Sequence, residues 1–214
     1  VLRYKIVPVT DLMQNCSIVW CDETNEGVLI DPGGEPDMLL KAVKDAGVEL
    51  KALYLTHGHL DHAGGAQSLR EQLGIPVIGP GKADQFWLES IEDQCRMYGL
   101  FGLRNVDPDR WLEEGETVPV GNESLKVIAT PGHTPGHIVF FHEAQKLAWV
   151  GDVLFSGSIG RTDFPQSNHM DLINSITKKL WLLGDEVKFI PGHGPESTFG
   201  RERQSNPFVG ENAF

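Results

Sequence analysis

Leu53-Tyr54-Leu55-Thr56-His57-Gly58-His59-Leu60-Asp61-His62-Ala63-Gly64-Gly65 is the stretch on which the reading of this chain turns. An apolar run ends at Thr56, and three histidines and a carboxylate follow within six residues. Imidazole and carboxylate together suit a first-row divalent metal. Four such groups packed this closely are more than one ion needs. On a loop, alternate residues point the same way, so His57 and His59 would face one metal, leaving Asp61 and His62 for a second. The plainer alternative is a polar turn in which Asp61 caps the next helix.

Working outward, the same arrangement recurs. Four apolar segments each run into a ligand-type residue: 53–55 into the histidine cluster, 127–129 into His133, 148–150 into Asp152, and 189–190 into His193. In three of the four a glycine stands directly before the ligand, where backbone can turn sharply and approach closely. Binding sites in α/β proteins favour the carboxyl ends of strands, so these four loops are expected to converge on one edge.

The rest of the order is read from periodicity. Strands are expected at 3–9, 15–21, 27–31, 50–55, 75–78, 117–120, 125–130, 138–142, 147–150 and 187–190. Helices are expected at 35–46, 64–73, 170–182 and 196–203, with 206–214 as a tail. Residues 81–111, rich in aromatics and charges, read either as a helix packed on the body or as a wall beside the site. Asp31, closing a strand, serves turn chemistry or orients the histidine loop. His137 opens a strand and reads as a supporting or packing residue; His142 and His169 read as surface or capping residues.

Composition narrows the class. The chain has 214 residues, 40 % hydrophobic and 22 % charged, enough for one well-packed domain over 1–214. A net charge of −12 disfavours a nucleic-acid partner. No apolar run is long enough to span a membrane, and none follows the start as a signal-peptide core, so a cytoplasmic location is expected. Three cysteines, Cys16, Cys21 and Cys95, form an odd, sparse set that suits a reducing compartment. Cys16 and Cys21 in one strand would stand about 16 Å apart, too far for a disulfide.

The motif set Thr56-His57-x-His59-x-Asp61-His62, Pro131-Gly132-His133-Thr134-Pro135-Gly136-His137, Gly151-Asp152 and Gly192-His193 resembles the metallo-β-lactamase superfamily over roughly residues 4 to 198. Asp152 and the repeated Thr-Pro-Gly-His resemble its glyoxalase II (hydroxyacylglutathione hydrolase) branch. The segments around Gly160-Arg161-Thr162-Asp163-Phe164-Pro165 and Pro191-Gly192-His193-Gly194-Pro195 resemble its short bacterial YcbL-like type. The resemblance implies an αββα sandwich: an α+β fold of two mixed sheets face to face with helices outside. It implies one or two divalent metals, zinc first, with iron or manganese possible. His57, His59 and His133 would hold one, Asp61, His62 and His193 the other, with Asp152 between them.

The activity implied is thioester hydrolysis by a metal-bound hydroxide, with S-D-lactoylglutathione giving D-lactate and glutathione in methylglyoxal detoxification. Asp61 would orient the water. Arg161 stands where longer relatives carry a glutathione-binding lysine; it would contact substrate or pair with Asp163. Two departures bear on substrate. The carboxy-terminal helical domain of the longer relatives is not expected in these 214 residues, and Gly194-Pro195 replaces the tyrosine expected after the last histidine. Glutathione is then held weakly, or another thioester is preferred. Rival readings are a mononuclear-iron persulfide dioxygenase using His57, His133 and Asp152, a lactonase or RNA phosphodiesterase of the same fold, and a metal-binding protein without turnover.

Overall fold

A computed structural model describes residues 1–213; Phe214, the last residue of the expected tail and of the 1–214 span, lies outside the described residues. The chain opens with three strands, β1 (Leu2–Val9), β2 (Gln14–Cys21) and β3 (Glu26–Ile30). Helix α1 (Pro36–Ala46) follows, started by a proline in its first turn and stopped by Gly47 at φ 69°. Leu39 and Val43, four apart, form its buried stripe. Then come β4 (Glu49–Tyr54), α2 (Leu60–Ala63), α3 (Ala66–Leu73) and β5 (Val77–Ile78). The 81–111 segment contains two short helices, α4 (Gln85–Leu88) and α5 (Ile91–Tyr98).

The second half supplies β6 (Thr117–Val120), β7 (Glu123–Ala129), β8 (Ile138–His142), β9 (Leu147–Gly151), and the small hairpin β10 (Leu154–Phe155) and β11 (Ser158–Ile159). Helix α6 (His169–Ser175) is capped by the Asn168 side chain and runs on through a π-helical stretch and a 3-10 turn to Leu183. The chain closes with β12 (Lys188–Pro191), β13 (Ser197–Thr198) and α7 (Phe199–Ser205).

Two mixed sheets result. One has the order β1-β2-β3-β4-β5, with β3, β4 and β5 parallel; the other has the order β13-β12-β9-β8-β7-β6, with β12 and β9 parallel. Because β8 is antiparallel to both β7 and β9, the strands β7, β9 and β12 all point the same way. Their carboxyl ends therefore share one edge.

The central strands are buried on both faces, which is why they read as unbroken apolar runs. In β9, Trp149 faces the other sheet with Tyr54, Phe140 and Ile190, while Ala148 and Val150 face outward to Leu172, Leu180 and Phe199 from the α6 and α7 side. In β4, Ala52 and Tyr54 join the intersheet core, and Leu53 joins a third cluster with Leu39, Val43 and Leu69 of α1 and α3. Helix, sheet, sheet, helix is the expected α+β sandwich.

Three expectations need correction. Asp61 and His62 lie not on a loop but in the single turn of α2, a segment too short to show helical periodicity. His142 is buried at 2 %, not at the surface, and its Nε2 pairs with Glu123 Oε2 at 3.0 Å. The segment after α7 packs down: Asn206 and Val209 are buried, and the Asn206 side chain donates to the Ser158 carbonyl. The cysteines are free and buried.

Candidate metal centre

The strand ends bring seven ligand-type side chains to one rim. His57, His59 and His133 form one cluster, and Asp61, His62, Asp152 and His193 a second; within each, the candidate ligand atoms all lie within 4.8 Å of one another. Asp152 faces both. Its Oδ2 is 3.8 Å from His57 Nε2 and 3.5 Å from His133 Nε2, and its Oδ1 is 3.1 Å from His62 Nε2. His193 Nε2 stands 2.9 Å from Asp61 Oδ2 and 3.7 Å from Asp152 Oδ2.

Glycine permits this approach. A Cβ on Gly192 would stand 2.3 Å from Asp152 Oδ1, and Gly151 turns into Asp152 at φ 53°, a left-handed conformation.

The tautomers follow from the outer hydrogen bonds. Asp31, at the end of β3, accepts from Thr56 N at 2.7 Å and Thr56 Oγ1 at 2.6 Å. Since that hydroxyl donates to Asp31, it accepts from His57 Nδ1 at 2.9 Å. His62 Nδ1 donates to Asp31 Oδ2 at 2.7 Å. One carboxylate thus fixes a ring in each cluster. His133 Nδ1 donates to the Arg161 carbonyl at 2.8 Å, and His193 Nδ1 to the Leu12 carbonyl at 3.1 Å. Each bond holds the proton on Nδ1 and turns an Nε2 lone pair inward.

These inward atoms test whether a metal fits. His57, His59, His62 and His133 Nε2 and Asp152 Oδ1 are buried without a hydrogen-bond partner. Buried polar atoms are ordinarily satisfied, so these five orphans, three in the first cluster and two in the second, need partners there. Imidazole nitrogen and carboxylate oxygen are ligands that a divalent cation takes, and one in each cluster would satisfy them.

The electrostatics of the first cluster agree with that donor set, whereas a cation in the second would displace a proton from His62. Burial, reinforced by neighbouring imidazoles, holds His57 well below its ordinary value and His59 down to about 3. Burial also lowers His133. These three rings stay neutral. Burial works against ionising Asp152, but His62, through its charge and its hydrogen bond, outweighs it and holds the carboxyl below the usual range. Burial likewise opposes charging His62, and Asp152 and Asp61 overcome it, raising the ring.

His137 belongs to neither cluster. Its Nε2 accepts from Asp152 N at 3.2 Å, and its ring stacks on His57 at 4.5 Å. Arg161 is exposed on the rim, bound through both ends of its guanidinium to Asp163 at 2.8 Å each. Residues 81–111 take both expected parts. Leu88, Ile91 and Cys95 pack into the core, while Trp87, Met97 and Tyr98 line a cavity of about 620 Å³ over the two clusters.

Two residues essential to this geometry give no local sign in sequence. Asp84, fully buried, accepts from Gly58 N at 2.9 Å, Thr134 Oγ1 at 2.7 Å and Gly136 N at 2.6 Å, clasping the first histidine loop to the His133 loop. Gln94 accepts from Leu60 N at 2.9 Å, fixing the start of α2. The only hint in sequence is that both sit in the aromatic 81–111 segment beside the site.

Comparison with known proteins places these features. Residues 9–193 match the family model of the metallo-beta-lactamase superfamily. The hydroxyacylglutathione hydrolase GloC of Haemophilus influenzae is 44 % identical over 97 % of this chain and 98 % of its own length. Among solved structures, TTHA1623 in a di-iron-bound form superposes with a TM-score of 0.88 at 37 % identity, covering 96 % of this chain and 100 % of its own. The BLEG-1 B3 metallo-beta-lactamase also gives 0.88, at 31 % identity over 97 % of this chain and 99 % of its own. The chain therefore belongs to the metallo-beta-lactamase superfamily, among its hydrolytic metalloenzymes.

Proposed function

We propose that this protein is a glyoxalase II-type thioester hydrolase whose two side-chain clusters hold two divalent cations, with S-D-lactoylglutathione as the first substrate to test. The observation that carries the reading is the convergence of five unpartnered buried donor atoms at the floor of a substrate-sized cavity. The name of the Haemophilus influenzae relative supports the thioester class. His57, His59 and His133 would hold one cation, Asp61, His62 and His193 the other, and Asp152, facing both, would serve each. Bound there, divalent cations supply Lewis acidity and lower the pKa of water enough to give hydroxide at neutral pH.

The chain's own residues supply the rest. The Asp61 carboxyl is buried, which opposes ionisation, but His62 and His193 keep it below its ordinary value, so it stays an acceptor. It would accept a hydrogen bond from the attacking water and aim that water's lone pair at the acyl carbon. Asp31, through Thr56 and His62, and Asp84, through the two loops, hold the rings while the acyl carbon becomes tetrahedral. Trp87 and Phe164, against His59 at 4.7 and 4.8 Å, keep bulk water from that side. Thiolate leaves readily, so no strong general acid is required, and none stands in the site. Arg161 would meet a substrate carboxylate or carbonyl at the rim, in competition with Asp163.

A mononuclear-iron oxygenase would use His57, His133 and Asp152 and leave Asp61, His62 and His193 without a task. The test is hydrolysis of S-D-lactoylglutathione by zinc- and iron-loaded protein, beside oxygen uptake with glutathione persulfide and opening of a homoserine lactone. Thioester cleavage without oxygen uptake is expected. Oxygen uptake without thioester cleavage would overturn the reading.

A further inference from the structure

Beyond the ligand rim, the cavity is walled by hydrocarbon. Trp87 and Phe164 flank it on the His59 side. Leu12 and Phe155 flank it on the His193 side, and Met97 and Tyr98 of α5 close the far end.

Two of the polar groups among these walls, on Gln94 and Arg161, are already engaged, whereas the buried Trp87 Nε1 has no hydrogen-bond partner. Gln94 accepts from Leu60 N and donates to the Trp87 carbonyl, both at 2.9 Å. Arg161, the one cationic residue outside the histidines among the described residues lining the cavity, is held by a two-pronged contact with Asp163 and lies over the Phe164 ring, 4.4 Å from its centroid. A tripeptide thiol with two carboxylates and an ammonium would give up water on entering this cavity and find only Arg161, already held by Asp163, to replace it. An apolar substituent would gain from the same walls.

We propose that the pocket selects thioesters bearing an uncharged apolar substituent, aromatic or branched aliphatic, over small hydroxyacyl thioesters of glutathione. This rests on thioester hydrolysis as the chemistry of the site. The step balances as thioester plus water giving carboxylic acid plus thiol: a C–O bond forms, the C–S bond breaks, and the electron pair leaves on sulfur, which takes up a proton. The walls act on substrate binding, so the preference resides in KM more than in kcat.

The experiment measures kcat and KM of the metal-loaded protein on four thioesters that cross lactoyl or phenylacetyl with glutathione or benzyl mercaptan. Each apolar replacement is expected to raise kcat/KM about ten-fold, on the scale of one well-buried group in an apolar pocket. In Met97→Glu, which alters a side chain 81 % exposed and so spares the fold, the apolar-to-polar ratio is expected to drop about five-fold. Calorimetric titration with S-benzylglutathione and S-methylglutathione, thioethers that cannot be cleaved, is expected to give tighter binding of the benzyl compound. Cleavage of all four with S-D-lactoylglutathione equal or ahead overturns the substrate class and leaves the hydrolase reading standing. No cleavage of any thioester overturns the hydrolase reading; equal binding of the two thioethers then removes the apolar site as well, and tighter benzyl binding keeps it.

Discussion

On the floor of the pocket, His57 and His62 are fully buried, and the Nδ1 of each is tied to Asp31, directly or through Thr56. On the wall above, Met97 is 81 % exposed, and just past the end of α5 Phe101 is 92 % exposed. The floor is built from strand ends on two sheets and locked by buried carboxylates. The wall is built from two short helices anchored by a few residues, Leu88, Ile91 and Cys95. The difference separates two duties. On the proposed function the floor would fix the chemistry and tolerate little change, whereas the wall would meet the substrate and could be altered without loss of the fold.

Substitutions can break that contrast, beginning at the centre. Asp152→Asn leaves the volume unchanged but removes the charge both clusters face. Turnover of S-D-lactoylglutathione is expected to fall by about 10³-fold or more, with an unaltered circular dichroism spectrum. Asp31→Ala frees the rings of His57 and His62 to change tautomer. Competition with a chelator should register about 10- to 100-fold weaker metal binding.

Asp84 sharpens the contrast through stability instead. Asp84→Ala strands two amides and a hydroxyl in the interior, and urea denaturation should give a loss of about 3 kcal/mol. Its pH dependence has a definite sign. Burial raises the Asp84 carboxyl from 3.8 to about 6, against the pull of its hydrogen bonds from Thr134, Gly136 and Gly58. Between those values the folded chain holds a proton that the unfolded chain releases. The contribution of Asp84 to stability is therefore greatest below pH 3.8 and is lost as pH rises through about 6. Relative to Asp84→Asn, wild type should lose about 3 kcal/mol across that window. The smallest effect belongs just past the wall: Phe101→Ser, at a side chain 92 % exposed, should change stability by less than about 0.5 kcal/mol and leave the spectrum unaltered.

What the sequence revealed follows the same division. Strands β4, β7, β9 and β12 were legible because apolar strands carry a strong signal, and the gathering of ligand-type side chains at their ends because histidine is scarce and clustered. Asp31 was half legible, since a carboxylate ending a strand fits a turn as well as a support, and its φ of 56° beside its bonds to Thr56 and His62 makes it both. Asp84 was invisible because its partners are main-chain amides and a hydroxyl 26 to 52 residues away, which no local pattern records. The two-residue strands β10, β11 and β13 escaped because so few residues define no period. The orienting carbonyls of Leu12 and Arg161 escaped because any residue type can supply them.

The central claim is that strand-end side chains from both sheets form one metal centre around Asp152. Its most direct test is the zinc content of the protein after loading and dialysis, measured by plasma mass spectrometry for wild type and Asp152→Asn. The account predicts two zinc ions per chain in wild type and no more than one in the variant. Two ions retained in Asp152→Asn, or none bound by wild type, would contradict it.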